Sequence, residues 1–119
     1  MRIVLITRDR PELTLQTIET MRINATNWDR HELLVVFDGD IEACALFRGE
    51  LLLLPTSGEP LPRILCTGKQ LGVGGAKNFG AEWFTGLAPT EQEVRHPHTL
   101  MFSDNDMYYL PGWDAILEH

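Results

Sequence analysis

Arg2-Ile3-Val4-Leu5-Ile6-Thr7 holds an unbroken apolar run, Ile3 to Ile6, in a stretch rich in β-branched residues, and charge follows it at once in Arg8, Asp9 and Arg10. A strand with one wet face alternates apolar and polar residues, whereas this one does not. It therefore reads as a strand buried on both faces, as in a parallel sheet. Pro11 suits the first turn of a helix and Glu12 its positive end. Leu15, Ile18 and Met21 recur at helical spacing, which predicts a helix over 11–23, ended by Asn24-Ala25-Thr26-Asn27.

The same alternation continues outward from this unit. Leu33-Leu34-Val35-Val36-Phe37 is a second strand, turned by Asp38-Gly39-Asp40. Ile41 to Phe47 reads as a short helix. Leu51 to Leu54 reads as a small strand inside a stretch that Pro55, Gly58, Pro60 and Pro62 otherwise make a loop. Arg63-Ile64-Leu65-Cys66-Thr67 is the third buried strand. Gly72-Val73-Gly74-Gly75 forms a glycine-rich turn into a helix from Ala76 to Phe84. Residues 86–98 are a polar loop, Thr99 to Phe102 a fourth strand, and Pro111-Gly112-Trp113 opens a last helical turn. The order β-α-β-(α)-β-α-β predicts an α/β fold with a mostly parallel sheet flanked by helices. Ligands of such sheets bind at the carboxyl ends of the strands. Thr7-Arg8-Asp9, Asp38-Gly39-Asp40 and Asp104-Asn105-Asp106 each follow a strand, so the three polar clusters are expected at that one edge.

The 119 residues suffice for one domain, expected over 1–116, and 44% hydrophobic with 23% charged residues is ordinary globular composition. A net charge of −7 and a pI near 4.9 argue against nucleic acid as a partner, since phosphate backbones are gripped by clustered Lys and Arg. Cys44 and Cys66 lie in apolar company without a C-x-x-C, and read as free thiols of a reducing compartment. No signal-peptide h-region and no stretch of transmembrane length is present, which predicts a cytoplasmic protein, with a peripheral membrane location left open. Leu117-Glu118-His119 matches the scar of a C-terminal polyhistidine tag and equally a native ending.

Leu100-Met101-Phe102-Ser103-Asp104-Asn105-Asp106 carries the chemistry. It is an apolar run ending in two carboxylates spaced two apart, which a strand would hold on one side, roughly 6–7 Å from each other. Two hard oxygen donors suit Mg2+ or Mn2+, and such a cation suits a diphosphate. A solvated acidic turn is the competing reading. Other motifs fail. A dinucleotide fingerprint from Gly72 needs glycine where Lys77 stands, no glycine precedes Gly68-Lys69 at the P-loop offset, and an EF-hand from Asp104 meets Tyr109 and Ala115 at its turn and final ligand positions. His96 and His98 lack zinc spacing.

In combination, four segments resemble the nucleotide-sugar half of a GT-A glycosyltransferase, closest to glycosyltransferase family 2. Ile3 to Pro11 is similar to the first strand and turn, although the family usually has Asn before the Arg. Leu34 to Asp40 resembles the second strand and its acidic turn. Gly72 to Gly80 resembles the glycine, basic residue and Asn pattern, with Lys77 where Arg is usual. Phe102 to Asp106, followed by Pro111-Gly112-Trp113, resembles the DxD strand and next helix. The resemblance implies that Asp38 contacts the base or ribose of a nucleotide-diphospho-sugar donor, with Thr7 and Arg8 lining that pocket. It implies Asp104 near ribose and metal, Asp106 on the divalent cation, and Lys77 and Asn78 toward the nucleotide or phosphates. A helix start there would suit anions independently of family.

The implied reaction moves a sugar to an acceptor hydroxyl while the cation offsets charge on the leaving diphosphate. The family's catalytic base comes well after the DxD strand, so none is assigned here, and the acceptor-binding half is expected to be absent. The alternative from another class is a non-catalytic α/β module that uses its acidic sheet edge for a protein or cation. A nucleotidyltransferase would want a glycine-rich basic loop after the first strand, and Thr7-Arg8-Asp9-Arg10 has no glycine. Asparagine at position 38 or 106 is expected to abolish nucleotide binding and spare the fold. An exposed sheet edge leaves room for a homodimer.

Overall fold

The computed structural model describes residues 1–7, 10–39, 41–53, 62–85 and 100–117. Arg8, Asp9, Asp40, Leu54, the 86–98 loop and residues 118–119 lie outside the described residues. The elements run β1 (Arg2–Thr7), α1 (Pro11–Asn24), a 3-10 turn (Trp28–Arg30), β2 (Glu32–Phe37), α2 (Ile41–Leu53), β3 (Arg63–Cys66), α3 (Gly72–Thr85), β4 (Leu100–Asp104) and α4 (Trp113–Leu117). The strands form one four-stranded sheet in the order β3-β2-β1-β4, and every pairing is parallel. The fold is thus the expected α/β class, a parallel sheet flanked by helices.

The missing alternation in β1 and β2 has a direct cause, since both faces of these strands are covered. Ile3, Leu5, Leu33, Val35 and Phe37 pack with Ile18 and Met21 of α1, Cys44 and Phe47 of α2 and Trp113 of α4. Val4, Ile6, Leu34 and Val36 point the other way, against Ala76 and Phe84 of α3. A right-handed crossover places its helix on one face when the chain steps in one direction and on the opposite face when it steps back. From β1 to β2 to β3 the chain steps one way, and α1 and α2 share a face. From β3 it returns past β2 and β1 to β4, and α3 lies on the other face.

Two expected boundaries change. Leu51, Leu52 and Leu53 continue α2 rather than forming a small strand. Leucine is among the strong helix formers and is not β-branched, and Gly49, with open space about it, does not end the helix. Likewise α3 starts at Gly72, so Gly74 and Gly75 lie within its first turns instead of in a turn ahead of it. No helix among the described residues is long and apolar enough to cross a membrane. Both cysteines are free.

Close approach of α3 to the sheet depends on Gly80. A Cβ there would lie 2.5 Å from Cγ1 of Val4, a side chain with no exposed surface. Gly74, on the same helix, faces open space. Alanine gains about 0.8–1 kcal/mol over glycine in a helix interior, while overpacking a core costs about 1–3 kcal/mol. Denaturant unfolding should therefore separate the two sites by sign: Gly74→Ala raises stability by up to about 1 kcal/mol, and Gly80→Ala lowers it.

Candidate functional site

Strand order reverses at β1, since β2 extends the sheet to one side and β4 to the other. The crevice outside the carboxyl ends of such a pair is where ligands of open α/β sheets bind. Thr7 ends β1 and Asp104 ends β4. Thr7 is buried, with its Oγ1 2.8 Å from Oγ1 of Thr14 on α1. The Asn105 amide donates to Thr7 Oγ1 at 3.0 Å, and the Thr17 hydroxyl donates to the Asn105 carbonyl at 2.7 Å. The end of β1, the first half of α1 and the turn after β4 are thereby laced together, and the Thr7 hydroxyl is engaged in that lacing.

Asp38 continues the edge beyond β2, its N–H donating to the Thr7 carbonyl at 2.8 Å. The residue is only 5% exposed. Oδ1 accepts from the Leu71 N–H at 2.7 Å and Oδ2 from the Gly72 N–H at 3.0 Å, and the Thr67 hydroxyl lies 3.3 Å from Oδ1. A helix leaves its first N–H groups unsatisfied and carries partial positive charge there. In this protein a carboxylate from the neighbouring strand end occupies that position. Gly39 makes the approach possible: its φ is +83°, and a Cβ would lie 2.7 Å from the Gln70 nitrogen. This explains why α3 begins at Gly72 and changes the expectation for two further residues. Lys77 and Asn78 stand in the second turn of α3, not at its start, so the helix-terminus anion site is not theirs. The Lys77 ammonium lies 5.6 Å from the Phe102 ring centre on β4, and Asn78 is exposed.

At the end of β4 the strand stops at Asp104, and Asn105-Asp106 forms a turn. The i, i+2 strand geometry expected for the two carboxylates therefore does not apply, because the bonds from Asn105 to Thr7 and Thr17 bend the chain toward α1. Both Asp104 and Asp106 are exposed. Among the described residues no group of three or more His, Cys, Asp or Glu could hold a metal ion. Mg2+ commonly takes one or two carboxylates and completes its shell with water and phosphate oxygens. This donor set fits an ion shared with a phosphate ligand and does not fit one enclosed by protein alone. Of the sequence-derived residues, the structure joins Thr7 and Asp38 along one edge and brings Lys77 to β4, two residues before Asp104. Arg8 lies outside the described residues.

Sequence reading missed Asp114 and His31. Asp114 has no exposed surface. It accepts from the N–H groups of Thr26 at 2.7 Å, Asn27 at 2.9 Å and Ala115 at 3.0 Å, and its Oδ2 lies 2.9 Å from His31 Nε2. Burial by itself would push this carboxyl up, but the three N–H donors and His31 outweigh it and hold it well below the usual carboxylate range. Trp113 beside it is buried, donates from Nε1 to the Met21 carbonyl at 2.9 Å, and packs on Tyr109 with ring centres 4.8 Å apart. Tyr109 bonds Ser103 of β4, and burial pushes its phenol up. The chain beyond β4 is thus anchored at α4, which holds the Asp104–Asp106 turn from its far side. Only Pro111-Gly112 hinted at this anchor, since the partners are more than 80 positions away. No protein-family model matches the chain, and no curated protein matches it either.

Asp38→Asn puts an amide against backbone donors and removes the charge that favours them. Chemical denaturation should show a loss of about 1–3 kcal/mol, against the sequence expectation of an unchanged fold. Asp114 gives a pH signature. Because its folded pKa lies below the unfolded value, its stabilisation is complete above about pH 4 and is lost as pH falls further. Asp114→Asn should cost about 1–3 kcal/mol at neutral pH, and the difference from the parent protein should shrink in unfolding measurements carried progressively below that pH.

Proposed function

We propose that this chain is the donor-binding part of a GT-A-type glycosyltransferase, closest to family 2, which binds a nucleotide-diphospho-sugar with a divalent cation for transfer to an acceptor hydroxyl. The observation that carries the reading is the reversal of strand order between β1 and β4 with Asp104 and Asp106 exposed just beyond it. In this reading Asp106 holds Mg2+ or Mn2+, Asp104 lies by the ribose and ion, and Lys77 and Asn78 serve the nucleotide or phosphates from α3. Thr7 and Asp38 shape the floor through their internal bonds rather than offering open side chains. When bound, the cation would neutralise charge on the leaving diphosphate. No residue of this chain is assigned as the base. Two free thiols accord with a cytoplasmic setting. The engagement of Thr7 and Asp38 within the fold favours a second reading, a non-catalytic module that binds a cation or protein at its acidic edge.

Titration of 15N-labelled protein with UDP and then GDP, with and without Mg2+, tests both readings. Cation-dependent shifts should cluster at Thr7, Lys77 and Asp104–Asp106 and identify the base. Asp106→Asn should weaken that response roughly tenfold or more, since a charge-assisted contact is worth about 1.5–3 kcal/mol, and should leave stability unchanged. A response to Mg2+ alone, indifferent to nucleotide, supports the module. No response to millimolar nucleotide sinks the donor reading for this chain.

A further inference from the structure

A cavity of about 230 Å³ opens at the opposite end of the sheet, against the amino ends of β2 and β3. Its walls include Trp28 of the 3-10 turn, Asp29, Glu32 and Arg63 at the two strand starts, and Trp83 and Phe84 from the last turns of α3. The six residues of β2 separate it from the Asp38 edge by about 20 Å at the rise of a strand. Nothing in the carboxyl-edge site uses these residues.

The lining discriminates among ligand classes by charge. The Arg63 guanidinium lies 5.1 Å from the Trp83 ring centre, and that of Arg2 lies 5.4 Å from the Phe84 ring centre. Aromatic faces attract cations, but here Trp83 and Phe84 each already carry one, and a cationic ligand would meet the Arg63 guanidinium in the lining. An anionic ligand would meet Asp29 and Glu32 on a chain of net charge −7. A wholly apolar ligand would desolvate three charged side chains and return no hydrogen bond to them. A neutral ring with one apolar C–H face and a girdle of hydroxyls meets every condition. Its face stacks on the Trp28 indole, its hydroxyls donate to the carboxylates, and its oxygens accept from Arg63. The volume lies below the 300 Å³ or so at which drug-sized pockets begin, which suits one ring. We infer that this cavity is a binding site for a single neutral pyranose residue, remote from the carboxyl-edge site and independent of its assignment.

The three indole N–H signals of Trp28, Trp83 and Trp113 provide the test, with Trp113, bonded internally to Met21, as the control. The labelled protein is titrated with glucose, galactose, mannose and N-acetylglucosamine to tens of millimolar, then with sorbitol and choline chloride. At least one pyranose should move the Trp28 and Trp83 indoles and leave Trp113 in place. Asp29→Ala and Arg63→Met, both at exposed positions, should each weaken that response about tenfold, the value of one charge-assisted hydrogen bond. Asp106→Asn and saturating UDP with Mg2+ should leave it unchanged, so failure of the donor reading does not touch it. Still indoles with all four sugars would overturn the inference. So would an equal response to sorbitol, which has the hydroxyls without the ring, or a preference for choline.

Discussion

Crossover handedness governs this molecule. A right-twisted strand feeding a right-handed helix can pack back onto its sheet in only one sense. Once β1, β2 and β3 are laid down in one direction, with α1 and α2 on one face, a return to the far side of β1 sends α3 across the other face. Three consequences follow. β1 and β2 are buried on both sides and are apolar from Ile3 to Ile6 and from Leu33 to Phe37. α3 must pass close over β1, which places a glycine at position 80 against Val4. β4 is laid down beside β1, in register from Arg2↔Leu100 to Ile6↔Asp104, and this brings the two strand ends side by side at Thr7 and Asp104.

The polar residues at that edge divide into two groups by what they bond. Thr7, Asp38 and Asn105 are bound into the fold, joining strand ends to α1 and to the start of α3. A buried carboxylate that satisfies two helix N–H groups is costly to remove, so Asp38 serves architecture first. Among the described residues nothing bonds the side chains of Asp104 and Asp106, and both are exposed. The internal bonds position the turn, and the exposed carboxylates are what it presents. Asp114 completes the arrangement from the other side by fixing α4 to the 26–27 backbone and to His31.

Much of the fold is legible in single segments. The helix read at 11–23 spans Pro11–Asn24, and the second strand, read from Leu33, begins at Glu32. The reading failed where a local signal was ambiguous or a distant partner decided. The Leu51–Leu53 run satisfies either a strand or a helix, and continuation of α2 settled it. Gly72-Val73-Gly74-Gly75 looks like a turn because glycine is a poor helix former. The Asp38 carboxylate, more than 30 residues away, makes it the first turn of α3.

The order of strands and helices, the burial of both faces of β1 and β2 and the gathering of acidic turns at one edge were determined by the sequence alone, whereas β3, read as buried, is only half-covered at the sheet's margin. Hydrophobic period and turn chemistry act over a few residues and survive in any arrangement of the chain. Tertiary structure alone decided which acidic side chains are consumed and which are left open, that a histidine before β2 pairs with an aspartate in the last helix, and that an aromatic, charge-lined cavity forms at the far end of the sheet. These outcomes depend on distances between residues remote along the chain. Such distances exist only once the crossovers have set which strand ends, helix ends and turns become neighbours.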